Sequence, residues 1–229
     1  MPDQLSPSLI IFDCDGTLVD SETLNLQAIL DVIGTFGIND YDLDHAHAHF
    51  TGLRFSKIIQ TISGETGVTF PEDAKLLYRS RVRELARSHL EPIEGAIEMV
   101  RKAAACAKIC VASNGERGNV LYSLEKVGLL DFFEEKHVFT GLMIENPKPA
   151  PDIFELASKE LNTAPAQCLV IEDSPTGVTA AVAANMNVWG FCGTHHAPEE
   201  QAAKLRTAGA RCIHTHMNAL QADLQKMTA

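Results

Sequence analysis

Two carboxylates two residues apart, Asp13 and Asp15, stand where the apolar run Leu9-Ile10-Ile11-Phe12 stops and Gly16-Thr17 follows. An apolar run of that length reads as a strand buried on both faces of a parallel sheet, and the glycine marks where the chain leaves the sheet. Side chains alternate along a strand, so Asp13 and Asp15 are expected to project the same way from its carboxyl end. In open α/β sheets that edge binds ligands. Two uncompensated carboxylates repel. A cation between them accounts for the pair, as does a division of labour in which one acts on substrate and the other handles protons. The plainer alternative is a turn in which the aspartates only accept backbone hydrogen bonds.

Three further loops carry chemistry. Ile109-Cys110-Val111-Ala112 runs into Ser113-Asn114-Gly115. A hydroxyl or amide at a strand end, ahead of a helix, either binds an anion or caps that helix, and the residues alone leave both open. Lys148 sits between Pro147 and Pro149, which fix the backbone from which its flexible stem starts. Cys168-Leu169-Val170-Ile171 ends in Glu172-Asp173, followed by Ser174-Pro175. Ser174 fits a helix N-cap and Pro175 the first helical position. A helix-start role explains Asp173 but leaves Glu172 unexplained.

Together these loops bring four carboxylates, one lysine and a serine or asparagine to one sheet edge. Two unit charges ~4 Å apart interact by about 4 kcal/mol at an effective dielectric near 20. Four clustered acids facing an anionic substrate therefore require a divalent cation, and oxygen-only ligands suit magnesium better than zinc.

The elements that must position these loops follow from periodicity. Apolar runs at 9–13, 108–112, 136–140, 168–172 and 188–192 read as buried strands, with a short one near 211–214. Helical patterns at 94–106, 116–127, 151–161, 175–185 and 198–207 separate them, and a last helix starts near 216. Alternation of this kind predicts an α/β fold, a Rossmann-like parallel sheet with helices on both faces. Residues 20–90 break the pattern with helical periodicity at 22–36, 42–49, 54–64 and 71–89 and no strand-like run. An all-helical domain over 20–90, inserted into a core of 1–19 and 91–229, is the expected organisation. Its exit lies at Glu91-Pro92-Ile93-Glu94-Gly95.

Composition narrows the partners. The chain has 229 residues, 45% hydrophobic and 21% charged, with net charge −11. That acidity argues against nucleic acid or an anionic membrane surface, and it leaves an anionic substrate dependent on local positive charge or a metal. The six cysteines include no Cys-x-x-Cys pair; those at 14, 110, 168 and 192 lie in or beside strand-like runs and read as buried thiols. The first eight residues lack a basic segment, the apolar run behind them is too short for a signal peptide, and no stretch approaches a membrane span, so a cytoplasmic protein is expected.

In this order the four loops resemble the motifs of the haloacid dehalogenase-like (HAD) hydrolase superfamily, on its phosphatase and phosphomutase side. Asp13-x-Asp15-Gly16-Thr17 is similar to the first motif, Ser113 to the second, Lys148 to the third and Glu172-Asp173 to the fourth. The helical block falls where a subset of the family carries a helical cap, a subset that includes phosphoglycolate phosphatases, β-phosphoglucomutases and bacterial sugar-phosphate phosphatases. The resemblance implies that Asp13 attacks phosphorus to give an aspartyl-phosphate, and that Asp15 serves as acid and then base. It implies magnesium held by the Asp13 carboxylate, the Asp15 carbonyl, Asp173 and, directly or through water, Glu172. Ser113, Asn114 and Lys148 are implied as phosphoryl ligands, with backbone amides at Gly16 and Thr17 completing the cradle.

Dehalogenases lack the second aspartate of the first motif, so Asp15 favours phosphoryl chemistry. β-Phosphoglucomutases carry a histidine where Asn25 stands here, which weakens a mutase reading; a non-catalytic regulatory protein is the remaining alternative. Thr51-Gly52-Leu53-Arg54 resembles the cap loop that reaches the substrate, making Arg54, with Glu22 and Asn25, a specificity candidate. The leading substrate class is a small phosphorylated metabolite, a sugar phosphate or sugar-acid phosphate, for a monomer or homodimer. His45, His47 and His49 alternate, and the first and last could share a helical face as metal ligands. His195-His196 lies beyond a strand end, where it either approaches the site or, as is commoner for loop histidines, stays solvated, and Arg79, Arg81, Arg83 and Arg87 read as a solvated helix face.

Overall fold

The computed structural model describes residues 6–51, 53 and 55–228. The chain divides into two compact units, Met1–Asp20 with Glu91–Ala229, and Ser21–Leu90.

The larger unit is a Rossmann-like α/β layer structure. Six strands, β1 (Leu9–Phe12), β2 (Lys108–Ser113), β3 (Val138–Thr140), β4 (Cys168–Glu172), β5 (Asn187–Phe191) and β6 (Cys212–His214), form one sheet in the order β3-β2-β1-β4-β5-β6. Every neighbouring pair is parallel. β1 lies between β2 and β4, with Phe12 opposite Val111 on one side and Ile171 on the other. That central place explains why its four residues are apolar without alternation: all are wholly buried, and each such side chain contributes about 1.5–3 kcal/mol of burial free energy.

In the helical unit, α1 (Glu22–Gly34), α2 (Leu43–His49), α3 (Phe55–Thr66) and α4 (Ala74–His89) follow one another. In the α/β unit, α5 (Ala96–Cys106) precedes β2, α6 (Arg117–Lys126) precedes β3, α7 (Asp152–Glu160) precedes β4, and α8 (Pro175–Ala183) precedes β5. Next, α9 (Pro198–Ala208) precedes β6, and α10 (Met217–Thr228) closes the chain. The start of α8 is fixed as its sequence requires: the Ser174 hydroxyl accepts from the Gly177 amide, with Pro175 in the first turn.

The helical unit has its own core, in which Leu26, Ile29 and Ile33 of α1 meet Ile58 and Ile62 of α3. Arg81 departs from the solvated face expected of it. Its guanidinium donates to Asp31 at 2.6 Å, tying α4 to α1, and also meets Glu84 at 2.7 Å. Periodicity placed Arg81 on a polar stripe but could not show that Asp31 lies opposite. His45 and His49 do share a face of α2, ring centroids 4.4 Å apart. Among the described residues no three His, Cys, Asp or Glu side chains are gathered as a metal cage. Nor is any described helix long and apolar enough to cross a membrane.

Candidate active site

β1 ends at Phe12, one residue earlier than its apolar run suggested, and the chain turns at once: the Leu18 and Val19 amides both donate to the Cys14 carbonyl. The alternation argument therefore fails beyond the strand. Asp13 is buried, whereas Asp15 is exposed. Asp15 approaches the end of β2 instead, where its Oδ2 and the Ser113 hydroxyl both lie within 4 Å of the space a side chain at Gly115 would take.

Asp13 faces Lys148. The ammonium donates to Asp13 Oδ1 at 2.7 Å, to Glu172 Oε1 at 2.8 Å and to the Ala112 carbonyl at 2.8 Å, so its three protons are placed on three acceptors. The ring of Phe154 lies 4.9 Å from the same nitrogen. Burial works against the ammonium, but the Asp13 and Glu172 carboxylates outweigh it and hold the lysine above its ordinary value. Asp13 is pushed well up by burial; Lys148 opposes that shift, while Glu172 and Asp173 add to it.

The expected phosphate and metal ligands divide differently from the motif reading. Asn114 turns both ends of its amide to the Lys148 main chain, accepting from its N–H at 3.0 Å and donating to its carbonyl at 3.2 Å. It thus orders the lysine loop rather than standing free for an anion. The Gly16 N–H is spent on the Val19 carbonyl at 2.9 Å, and the buried Thr17 hydroxyl has no hydrogen-bond partner among the described residues. Ser113 is buried and accepts from the Gly115 amide at 3.0 Å. Glu172 has Oε1 on Lys148, while Oε2 accepts from the Ser174 amide and hydroxyl at 2.7 and 3.0 Å. Both its oxygens are committed to the lysine and the helix start, which explains the acid that a helix-start role alone left over. Its length is accommodated by Gly177, where a Cβ would lie 1.6 Å from Glu172 Oε1.

Asp173 remains the second cation-facing candidate. Burial raises its carboxyl to about 6, with His195 pulling the other way. Its Oδ2 presses on Gly16, which has φ +78° and where a Cβ would lie 2.1 Å from that oxygen; only glycine fits both conditions. Of the two readings of His195, approach to the site is the one seen: its Nε2 lies 3.5 Å from Asp173 Oδ2. Gln201, which no motif marked, donates to the Asp173 carbonyl at 2.6 Å. The signal available for both was position: the fifth strand ends at the same sheet edge. Glu22 and Asn25 open α1 in the helical unit, where Asn25 Oδ1 accepts from the Tyr78 hydroxyl at 3.1 Å. Arg54 lies outside the described residues.

Three buried carboxylates, Asp13, Glu172 and Asp173, thus face one buried lysine, an imbalance of charge that suits a divalent cation. The donors left for it are carboxylate and carbonyl oxygens. Magnesium, which keeps several waters and takes one or two carboxylates, fits such a set without a full protein cage.

A parallel α/β sheet with an acid-and-lysine cluster at its carboxyl edge and a helical insertion after the first strand defines a hydrolase of the haloacid dehalogenase type. The chain belongs to the haloacid dehalogenase-like hydrolase family, whose model matches residues 10–191. It is 36% identical to the 6-phosphogluconate phosphatase of Escherichia coli (strain K12) over 188 residues, 82% of this chain and 83% of the relative. To the fructose-1-phosphate phosphatase of the same organism it is 28% identical, over 78% of this chain and 93% of that one. A HAD family hydrolase from Deinococcus radiodurans R1, solved with bound phosphate and sodium, superimposes with a TM-score of 0.86 at 30% identity, covering 98% of this chain and 97% of its own.

Proposed function

We propose that the protein is a magnesium-dependent phosphatase that hydrolyses a small sugar phosphate or sugar-acid phosphate through an aspartyl-phosphate on Asp13. The observation that carries this reading is the buried Asp13 carboxylate at the end of the central strand, held through Oδ1 by a lysine whose other protons are also fixed. A nucleophile must be ionised and still, and burial alone would protonate this one. Lys148 supplies one counter-charge. Asp13, Asp173 and the Asp15 carbonyl would hold a divalent cation, which would supply the remaining counter-charge and offset charge on the phosphoryl oxygens.

Asp13 Oδ2 attacks phosphorus, and the bond to the substrate oxygen breaks as Asp15 delivers its proton to the departing alkoxide. Asp15 then takes a proton from water, whose oxygen attacks the aspartyl-phosphate to release inorganic phosphate and restore Asp13. The exposure of Asp15 suits a group that must meet both a leaving alcohol and water. In this reading the Ser113 and Thr17 hydroxyls donate to the phosphoryl oxygens. Similarity to two sugar-phosphate phosphatases supports the substrate class.

The test is phosphate release from a panel of sugar phosphates, sugar-acid phosphates and phosphoglycolate. Asp13→Asn should lower turnover by at least ~10³-fold, and chelation should stop it until magnesium is returned. Wild-type turnover in Asp13→Asn would remove the nucleophile assignment. Isomerisation of a hexose 1-phosphate faster than its hydrolysis would convert the reading to a phosphomutase.

A further inference from the structure

A carboxylate that meets a cation must be held at both ends. Its main chain must not drift, and its two oxygens must not exchange places. At Asp173 both restraints come from one stretch of chain, the connection from β5 to α9. Gln201, in the first turn of α9 and itself buried, donates Nε2 to the Asp173 carbonyl at 2.6 Å, at the point where β4 gives way to α8. His195, six residues earlier, places Nε2 3.5 Å from Asp173 Oδ2. Just before His195, the hydroxyl of Thr194 donates to the Gly16 carbonyl at 3.2 Å, tying the same stretch to the turn that follows Asp13. The stretch is in turn anchored to the next strand, because the Cys192 amide donates to the His214 carbonyl at 3.0 Å. Three side chains, two from the β5–α9 connection and one from the first turn of α9, thus reach to the turns after Asp13 and at Asp173.

We infer that His195 and Gln201 are positioning residues for the cation: His195 sets which oxygen of Asp173 faces inward, and Gln201 fixes the backbone from which that side chain hangs. Neither touches substrate or the reacting atoms. Outer partners of this kind govern how tightly a metal is held more than how fast bound substrate reacts. The inference rests on the reading of Asp13 and Asp173 as magnesium ligands.

The experiment is calorimetric titration of the full-length, metal-free chain with magnesium chloride, without substrate, accompanied by thermal melts in chelator to establish folding. His195→Ala and Gln201→Met should each weaken magnesium binding by about 10-fold, within the range typical of outer-partner loss. His195→Gln, which restores a donor, should return to within about twofold of wild type. At saturating magnesium, kcat for phosphate release should stay near the wild-type value in all three. If the folded variants bind magnesium as wild type does, or if kcat falls with affinity unchanged, the positioning role is wrong while the phosphatase reading stands. If wild type itself binds no magnesium, the positioning role and the cation assignment fall together. Should Gln201→Met fail to fold, His195→Ala and His195→Gln decide the matter by themselves.

Discussion

Asp173 is, with Asp13, one of two buried aspartates through which this site responds to acidity. Burial lifts its carboxyl to about 6 from an ordinary 3.8, so the folded chain binds that proton more tightly than the unfolded chain. Its contribution to stability is therefore complete below about pH 4 and is lost as pH rises through about 6. If Asp173 holds magnesium as proposed, saturating magnesium favours the ionised form and opposes the loss. Thermal melts between about pH 4 and 7 should show wild type falling relative to Asp173→Asn without metal, and the gap closing when magnesium is added. A gap that does not change with pH or metal would contradict the assignment. The place of this acid just past a strand end was readable from its neighbours, since Glu172-Asp173 follows four apolar residues and precedes Ser174-Pro175. The duty of Glu172 was not readable. Its partners Lys148 and Ser174 are 24 and two residues away, and only the folded sheet shows that they share the two oxygens of one carboxylate.

At the scale of elements, the start of α8 does two jobs. It caps a helix through Ser174, and through Glu172 it holds the lysine that holds Asp13. Gly177 makes room for this. Replacing it with alanine would set a methyl 1.6 Å from Glu172 Oε1, forcing the acid away from Lys148 or the first turn of α8 out of place. Gly177→Ala should therefore destabilise by about 1–3 kcal/mol, the range for overpacking, and lower phosphate release together with the melting temperature. Gly118, with nothing within 4 Å of its added Cβ, is the control and should tolerate alanine. The strands themselves were legible as apolar runs, because a strand covered on both faces needs no alternation. The connection from β5 to α9 was not. Thr194, His195 and Gln201 have ordinary loop and helix-surface identities, and what they bind lies in the turns after β1 and β4, far off in sequence.

For the whole molecule, the four site residues brought together, Asp13, Lys148, Glu172 and Asp173, all come from the unit formed by Met1–Asp20 and Glu91–Ala229. The chain leaves that unit at Asp20 and re-enters at Glu91, where the Asp20 amide donates to the Glu91 carbonyl at 3.2 Å and Val19 pairs antiparallel with Pro92. Departure and return are thus stitched side by side. Joining Asp20 to Glu91 by a short Gly-Ser turn should leave a chain that melts cooperatively and binds magnesium as the full-length protein does, checked by circular dichroism and calorimetry. An aggregated or non-cooperative product would show that the sheet depends on the insertion. The seam at Val19 and Pro92 also bears on how such a chain can diversify. One uninterrupted length of gene can be traded for another at this doorway, without rethreading a strand or moving an acid, so new appetites can be fitted to an unchanged engine.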